Sequence, residues 1–222
     1  MDLIKVKKLI EFDTCTVANA VELLGVRDPS GGYAGPDVRA LTPELGRRVG
    51  VAVTARMDTT SPGTDRTSME PWKDMLRLIR EAAKGDGRET MPVFAVIEAA
   101  GPRPRYTVVI GDMMATALTM VGAVGYVSNG AMRDIEGVRA TGLACWGCGL
   151  SPMHGRIRWL DVNSPVVIDG MTVRPGDIIH ADVNGVLVIP PEVADQVYDK
   201  ALIVQESERR QLAQWREVGL DL

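Results

Sequence analysis

The chain has 222 residues, a hydrophobic fraction of 45% and a net charge of −4 at pH 7, a composition that excludes disordered and fibrous proteins. The acidic balance argues against a nucleic-acid partner held by phosphate neutralisation, and no apolar stretch approaches the roughly 20 residues of a membrane span. The three cysteines do not describe a disulfide framework. We therefore expect a cytoplasmic globular protein with neither nucleic acid nor a membrane as partner.

The first half of the chain alternates predicted helices, strands and turns. Apolar residues in 14–24 share one helical face, with Thr14 or Thr16 as the predicted N-cap. A loop follows at 26–37, where Gly, Pro, Asp and Ser cluster. The remaining predicted elements of this half are a strand at 49–57, turn residues at 59–68, an amphipathic helix at 69–85 that ends at Gly85, and buried strands at 93–99 and 106–110.

The second half begins with alternating elements and then becomes rich in strands. Its predicted elements are a helix at 111–122 after a glycine turn, strands at 123–128 and 143–147 with a helix at 135–142 between them, and short strands at 157–162, 165–169, 171–173, 177–183 and 186–190. Asp169-Gly170 indicates a hairpin, and Pro191 opens a long C-terminal helix at about 191–217. The pattern predicts a single α/β domain over 1–222, with βαβ units in its middle and a β-rich second layer.

The histidines and cysteines show only weak signs of a catalytic or metal site. His154 and His180 have no partner at a spacing typical of a site, so each is more typical of a surface or core residue than of a catalyst. Cys145 and Cys148 have the spacing of redox and zinc sites, but a zinc site needs a second such pair. Cys145 also lies in an apolar strand pattern rather than at a helix start, which favours small buried side chains over a redox site.

The most informative segment begins at Gly111, directly after a predicted strand. A glycine there lets the backbone turn sharply and come close to a ligand. The amides of Asp112, Met113 and Met114 then open a helix without intrahelical acceptors, which is a typical anion site. We therefore expect these four residues to bind an anionic substrate group.

Arg133 and Asp134 follow the next predicted strand, which we expect to return parallel and to end beside that helix start. Arginine offers a planar fork for a carboxylate or carbonyl oxygen, and aspartate offers a hard oxygen ligand for Mg²⁺ or Mn²⁺. An Arg-Asp dipeptide on its own is more typical of a surface ion pair. These residues are therefore either a pair that binds substrate and metal or a surface ion pair.

Four segments carry a resemblance to a known family: GDMMATA at 111–117, AVGYVSNGAMRD at 123–134, GLSP at 149–152, and the strand-rich run at 165–190. Weaker counterparts lie at 14–25 and 49–57. The chain resembles the class II 4-hydroxy-4-methyl-2-oxoglutarate aldolases and their relatives, the regulator-of-ribonuclease-activity-A-like (RraA-like) proteins. The resemblance implies a swivelling β/β/α sandwich with a C-terminal helix that packs on a neighbouring subunit, in a homotrimer or homohexamer.

The same resemblance implies a pyruvate-releasing lyase that acts on a small-molecule 2-oxo acid with Mg²⁺ or Mn²⁺, and with oxaloacetate decarboxylation as a side activity. By position, Gly111, Asp112, Met113 and Met114 would hold the pyruvyl end, and Arg133 would bind and polarise the substrate. Asp134 would ligate the metal, and Arg133 and Asp112 are the candidate catalytic residues. No lysine lies in this segment, which agrees with stabilisation of the enolate by a metal rather than by a Schiff base.

The sequence departs from the family pattern at several places. The family commonly has an acidic residue three positions after the aspartate, where this chain has Gly137 and its nearest carboxylate is Glu136. Asn19 stands where aspartate is frequent, and the segment 58–72 is long enough to shape a different substrate pocket. Two alternatives are an enzyme for another oxo acid and a regulator that binds and inhibits a ribonuclease without catalysis, because fold alone does not establish activity.

The C-terminal helix raises the question of assembly. Its apolar residues form one stripe over five turns: Val197, Ala201, Val204, Leu212 and Trp215. Glu208 falls within that stripe and Glu206 lies off it. One interpretation is that the last turns leave the core and Glu208 faces water. The resemblance implies the other, in which Glu208 from a neighbouring subunit approaches the metal held by Asp134.

Overall fold

A computed structural model describes residues 2–62, 68–85 and 90–219 of the chain. Its helices are α1 (Leu3–Lys8), α2 (Thr14–Glu22), α3 (Glu70–Lys84), α4 (Asp112–Met120), α5 (Ile135–Thr141) and α6 (Ala194–Val218). Its strands are β1 (Arg39–Ala40), β2 (Arg48–Asp58), β3 (Val93–Ala99), β4 (Val108–Ile110), β5 (Ala123–Val127), β6 (Ala131–Met132), β7 (Ala144–Gly147), β8 (Arg158–Val162), β9 (Val166–Ile168), β10 (Met171–Val173), β11 (Ile178–Asp182) and β12 (Gly185–Ile189). The predicted mixed α/β domain with a C-terminal helix is confirmed.

One large sheet organises the domain. Its strand order is β1-β7-β5-β3-β2-β11-β12, and β8 pairs with the end of β2. The pairs β2–β3, β3–β5 and β5–β7 are parallel, as expected for the predicted βαβ units. The hairpin β9–β10 turns at Asp169-Gly170 as predicted, and β4 and β6 form a separate parallel pair.

The central strand β3 shows how the layers form. Its residues alternate between two apolar clusters, as the two-residue period of a strand requires. Ala95 and Ile97 pack with the helices α3, α4 and α5 on one face. Phe94 and Val96 pack with the hairpin β9–β10 on the other face. The sheet is therefore buried between a helical layer and a β layer, which gives the β/β/α arrangement.

A third apolar cluster joins α1 and α2 to α6 and to β11 and β12. The first part of the predicted stripe on α6 is buried there, through Val197, Ala201 and Val204. The stripe then leaves the core, since Leu212 and Trp215 are 46% and 44% exposed. Residues 207–219 are all exposed, so within the described part of this chain the last turns of α6 bury no side chain.

Three predicted details differ from the structure. The N-cap of α2 is Asp13, whose side chain accepts from the Thr16 amide at 2.8 Å, rather than Thr14 or Thr16. Helix α6 begins at Ala194 instead of at Pro191, because Val193 has a non-helical backbone. The strand predicted at 106–110 is β4, which is shorter and pairs with β6, so β5 returns parallel to β3 rather than to β4. None of the described helices combines the length and hydropathy needed to cross a lipid bilayer.

Candidate active site

A cleft of about 240 Å³ lies where β4 and β6 end side by side. Because the two strands are parallel, their carboxyl ends meet, and α4 begins after β4 while α5 begins just after β6. The residues that line the cleft are Val108, Val109, Ile110, Gly111, Asp112, Met113, Met114, Arg133, Asp134, His154 and Ile157. The structure thus brings together the predicted substrate-binding segment and the predicted Arg-Asp pair.

Glycine is favoured at position 111 for a different reason from the predicted sharp turn. Its φ of −132° is extended backbone that any residue adopts, so no sharp turn demands glycine here. The available space favours glycine, because a Cβ at this position would lie 2.8 Å from Asp134 Oδ2 and 3.1 Å from Arg133 Cγ and would displace both side chains. The missing side chain is what lets the start of α4 approach the Arg-Asp pair.

The start of α4 is partly covered by its own first residue. The Met113 amide donates to Asp112 Oδ1 at 2.7 Å, so the Asp112 carboxylate occupies part of the helix end that was predicted to bind an anion. A carboxylate in the first turn is itself favoured by the helix dipole. Asp112 therefore brings a negative charge to the cleft, and the amides of Asp112 and Met114 have no intrahelical acceptor.

Arg133 and Asp134 form an ion pair inside the cleft. Arg133 Nε donates to Asp134 Oδ2 at 2.8 Å, and the two side chains are 30% and 37% exposed. Asp134 has a left-handed backbone, with φ 55° and ψ 43°, at the N-cap position of α5. Such a conformation in a non-glycine residue is sparsely populated and is often found at functional sites. It makes the chain turn directly after β6 and leaves the Asp134 carboxylate at the cleft.

Gly137 explains one departure from the family pattern. A Cβ at this position would lie 2.7 Å from Asp112 Cβ, so α5 packs against α4 with no room for a side chain. The nearby carboxylate of Glu136 is exposed and does not line the cleft. The described part of the chain holds no group of three His, Cys, Asp or Glu side chains arranged around a common metal position.

His154 also lines the cleft, although it was not predicted to be a site residue. The segment that carries it runs beside β6, because the Met132 amide donates to the Gly149 carbonyl at 2.9 Å and the Ser151 amide donates to the Met132 carbonyl at 2.9 Å. This pairing follows no strand pattern in the sequence. The only available signal was that the segment follows the GLSP motif.

The other reactive side chains lie elsewhere and have structural surroundings. His180 is buried between Thr14 Oγ1 at 3.0 Å and the Leu9 carbonyl at 3.1 Å, and burial lowers the pKa of its imidazole to about 4. Cys145 is buried in β7, where burial raises the pKa of its thiol well above the usual range. Cys148 is partly buried, and burial raises the pKa of its thiol as well. These buried or partly buried environments agree with the interpretation of His180 and the two cysteines as structural residues rather than catalytic ones.

Two further predictions concern residues away from the cleft. Glu208 is exposed on α6 and accepts from Asn19 Nδ2 at 3.2 Å, so within one chain it does not line the cleft. Of the segment 58–72, residues 63–67 lie outside the described residues. The rest of that segment does not line the cleft either.

A family model described as RraA-like, Aldolase/RraA, matches residues 14–188. A protein of Azotobacter vinelandii, provisionally named 4-hydroxy-4-methyl-2-oxoglutarate aldolase, is 29% identical over 159 residues, which are 71% of this chain and 94% of that protein. Protein DlpA of Legionella pneumophila is 36% identical over 102 residues, which are 45% of this chain but only 17% of the length of DlpA.

Solved structures agree in fold. A Streptomyces coelicolor protein, described as an unusual member of the RNase ES inhibitor RraA protein family, matches with a TM-score of 0.72 at 24% identity, over 95% of this chain and 96% of that one. An uncharacterised Pseudomonas syringae protein matches with a TM-score of 0.73 at 24% identity, over 99% of this chain and 92% of that one. With the family model covering most of its length and the site motifs gathered at one cleft, the chain belongs to the RraA-like family.

Proposed function

We propose that this chain is a divalent-metal-dependent lyase that cleaves a 4-hydroxy-2-oxo acid, such as 4-hydroxy-4-methyl-2-oxoglutarate, and releases pyruvate. The observation that carries the proposal is the convergence of Arg133, Asp134 and the start of α4 on one cleft. The name of the Azotobacter vinelandii relative supports the same reaction. Oxaloacetate decarboxylation passes through the same pyruvate enolate, so it belongs to the proposal as a side activity.

The arrangement suits a reaction that develops negative charge on an oxygen. When the bond between C3 and C4 of the substrate breaks, the electron pair moves toward the C2 oxygen and forms an enolate. The Nε–Oδ2 bond to Asp134 orients the Arg133 guanidinium and leaves its two terminal nitrogens as donors for substrate oxygens. Preorganised donors of this kind stabilise the transition state more than the ground state.

The side chains at the cleft fit a hard divalent cation. Mg²⁺ and Mn²⁺ are typically held by one or two carboxylates, with water and substrate oxygens completing the coordination, so a cage of three protein ligands is unnecessary. Asp134 and Asp112 supply two carboxylates at one cleft, and Asp134 would hold the cation directly. A bound divalent ion would add positive charge next to the C2 oxygen.

The direct test is a pyruvate-release assay on a panel of 4-hydroxy-2-oxo acids and oxaloacetate. We expect turnover with Mg²⁺ or Mn²⁺, loss of turnover in EDTA, and recovery when the metal is restored. Full activity in a chelated, metal-free sample would contradict the metal-dependent mechanism. Absence of pyruvate from every substrate would favour the regulator, which is supported by likeness of fold to two solved RraA structures at 24% and 20% identity.

Assembly forms part of the proposal, and it starts from the exposed end of α6. This end carries Leu212, Trp215 and Val218 on its surface, beyond the last buried residue Val204. We propose a homotrimer, or a hexamer made of trimers, in which α6 packs on a neighbouring subunit and Glu208 completes the neighbour's site.

The three cysteines are all free, and this agrees with a location in the cytoplasm.

Truncation after Val204 tests this assembly. Because the removed residues include the exposed end of α6 and Glu208, we expect the truncated protein to lose oligomer mass and metal affinity together. Light scattering and calorimetric titration with Mn²⁺ measure the two quantities. A truncated monomer with full metal-dependent turnover would overturn the assembly, while Glu206→Gln in the full chain serves as a control, because Glu206 is already paired with Arg209 and Arg210.

A further inference from the structure

His154 borders the cleft, and the roles proposed for Arg133 and Asp134 leave it without a function. It lies between β7 and β8, in a segment held on both sides. Before it, the Ser151 amide donates to the Met132 carbonyl at 2.9 Å. After it, Gly155 has φ +64°, and a Cβ there would lie 2.7 Å from Thr59 Cβ, so only glycine fits against the residue that follows β2. These two anchors fix the position of His154 relative to the cleft.

The hydrogen bond of the imidazole defines its proton-carrying nitrogen. His154 Nδ1 lies 3.0 Å from the Gly155 carbonyl oxygen. Since a carbonyl only accepts, Nδ1 donates, and in the neutral ring Nε2 then carries the lone pair. The ring is exposed, and Nε2 has no hydrogen-bond partner in the described part of the chain. His154 therefore presents a free proton acceptor in a fixed tautomer.

The proposed cleavage requires such an acceptor. Breaking the bond between C3 and C4 needs removal of the proton from the 4-hydroxyl group. Arg133 cannot serve, because a guanidinium keeps its proton in proteins. The carboxylates of Asp112 and Asp134 each already accept a hydrogen bond through one oxygen, and Asp134 is the proposed metal ligand.

We propose that His154 is the general base that takes the proton of the substrate 4-hydroxyl group; this inference rests on the proposed lyase function. The proton moves to Nε2, and the O–H electron pair forms the carbonyl bond at C4. The bond between C3 and C4 breaks, its electron pair forms the double bond between C2 and C3, and the C2 carbonyl pair moves to oxygen. Water then protonates C3 to give pyruvate, and the exposed imidazolium releases its proton to solvent.

A comparison of two substrates distinguishes a general base from a residue that only binds substrate or supports the fold. Oxaloacetate reaches the same enolate by loss of carbon dioxide, so it has no hydroxyl proton to remove. His154→Asn keeps an amide donor near the position of Nδ1 and thus the bond to the Gly155 carbonyl, and His154→Gln places a non-basic polar group near the position of Nε2. With the metal-loaded full chain, we expect both variants to lose about 10²-fold or more in kcat for cleavage of 4-hydroxy-4-methyl-2-oxoglutarate. Oxaloacetate decarboxylation should fall only a few-fold.

A binding measurement completes the test. Oxalate resembles the enolate end of the substrate, and we expect its calorimetric affinity in the presence of Mg²⁺ to be the same in the wild type and in both variants. Equal losses for both substrates, no loss for either, or weakened oxalate binding would each overturn the role of His154 as the hydroxyl base. A wild-type protein that releases pyruvate from neither substrate would instead overturn the proposed function itself.

Discussion

Asp134→Asn is expected to lower kcat/KM for pyruvate release by about 10³-fold or more, because the variant loses the carboxylate proposed to hold the divalent cation. The fold should survive the change. Asparagine tolerates the left-handed backbone that Asp134 adopts, and its amide oxygen still accepts from Arg133 Nε. Steady-state pyruvate release at saturating Mg²⁺, together with Mn²⁺ titration, measures the effect.

Glu136→Gln is the matched control, since it removes an exposed carboxylate two residues further along that does not line the cleft. We expect its kcat/KM to stay within a few-fold of the wild type. The assignment of Asp134 is wrong if Asp134→Asn retains full metal-dependent turnover. It is equally wrong if Glu136→Gln loses as much activity as Asp134→Asn.

Arg133→Lys should reduce kcat by roughly 10²- to 10³-fold while the melting temperature moves by no more than about 3 °C. Lysine keeps the positive charge but lacks the planar fork that can contact Asp134 and two substrate oxygens at once. Stability should change little because the pair with Asp134 is partly exposed, and ion pairs of this kind contribute about 1 kcal/mol or less. Thermal unfolding and single-turnover kinetics on the same sample give both quantities.

Arg139→Lys provides the comparison for this substitution. Arg139 lies on the same helix, α5, and its Nε pairs with Glu44 at 2.8 Å on the surface. We expect this variant to keep wild-type kcat. An Arg133→Lys protein that unfolds readily, yet keeps full activity per folded molecule, would show that Arg133 supports the fold rather than the reaction.

The sequence predicted most of the central elements because their signals are local. Strand β3 is short, apolar and bounded by turn residues, and α5 ends at Gly142, which has the left-handed backbone of a C-cap. The short strand β6 gave no such signal, because two residues carry no periodicity. Its pairing with β4 is a long-range contact, and it is this contact that brings Arg133 to Gly111.

In the candidate site, too, residues with local sequence signals were predicted, and a residue placed by long-range contacts was not. Gly111, Arg133 and Asp134 were predicted from motifs whose residues lie close to strand ends, and the structure brings them to one cleft. His154 was not predicted, because its approach depends on backbone hydrogen bonds to β6 and on the contact of Gly155 with Thr59. No residue pattern within one segment encodes a contact of that kind.

The contact between Gly137 and Asp112 constrains which substitutions this cleft can accept one at a time. A single substitution of Gly137 by an acidic residue would force a Cβ to within 2.7 Å of Asp112 Cβ. The helices α4 and α5 would have to separate, or position 112 would first have to become smaller. We therefore expect the effects of substitutions at positions 112 and 137 on stability to be non-additive, so that the order in which the two are made matters.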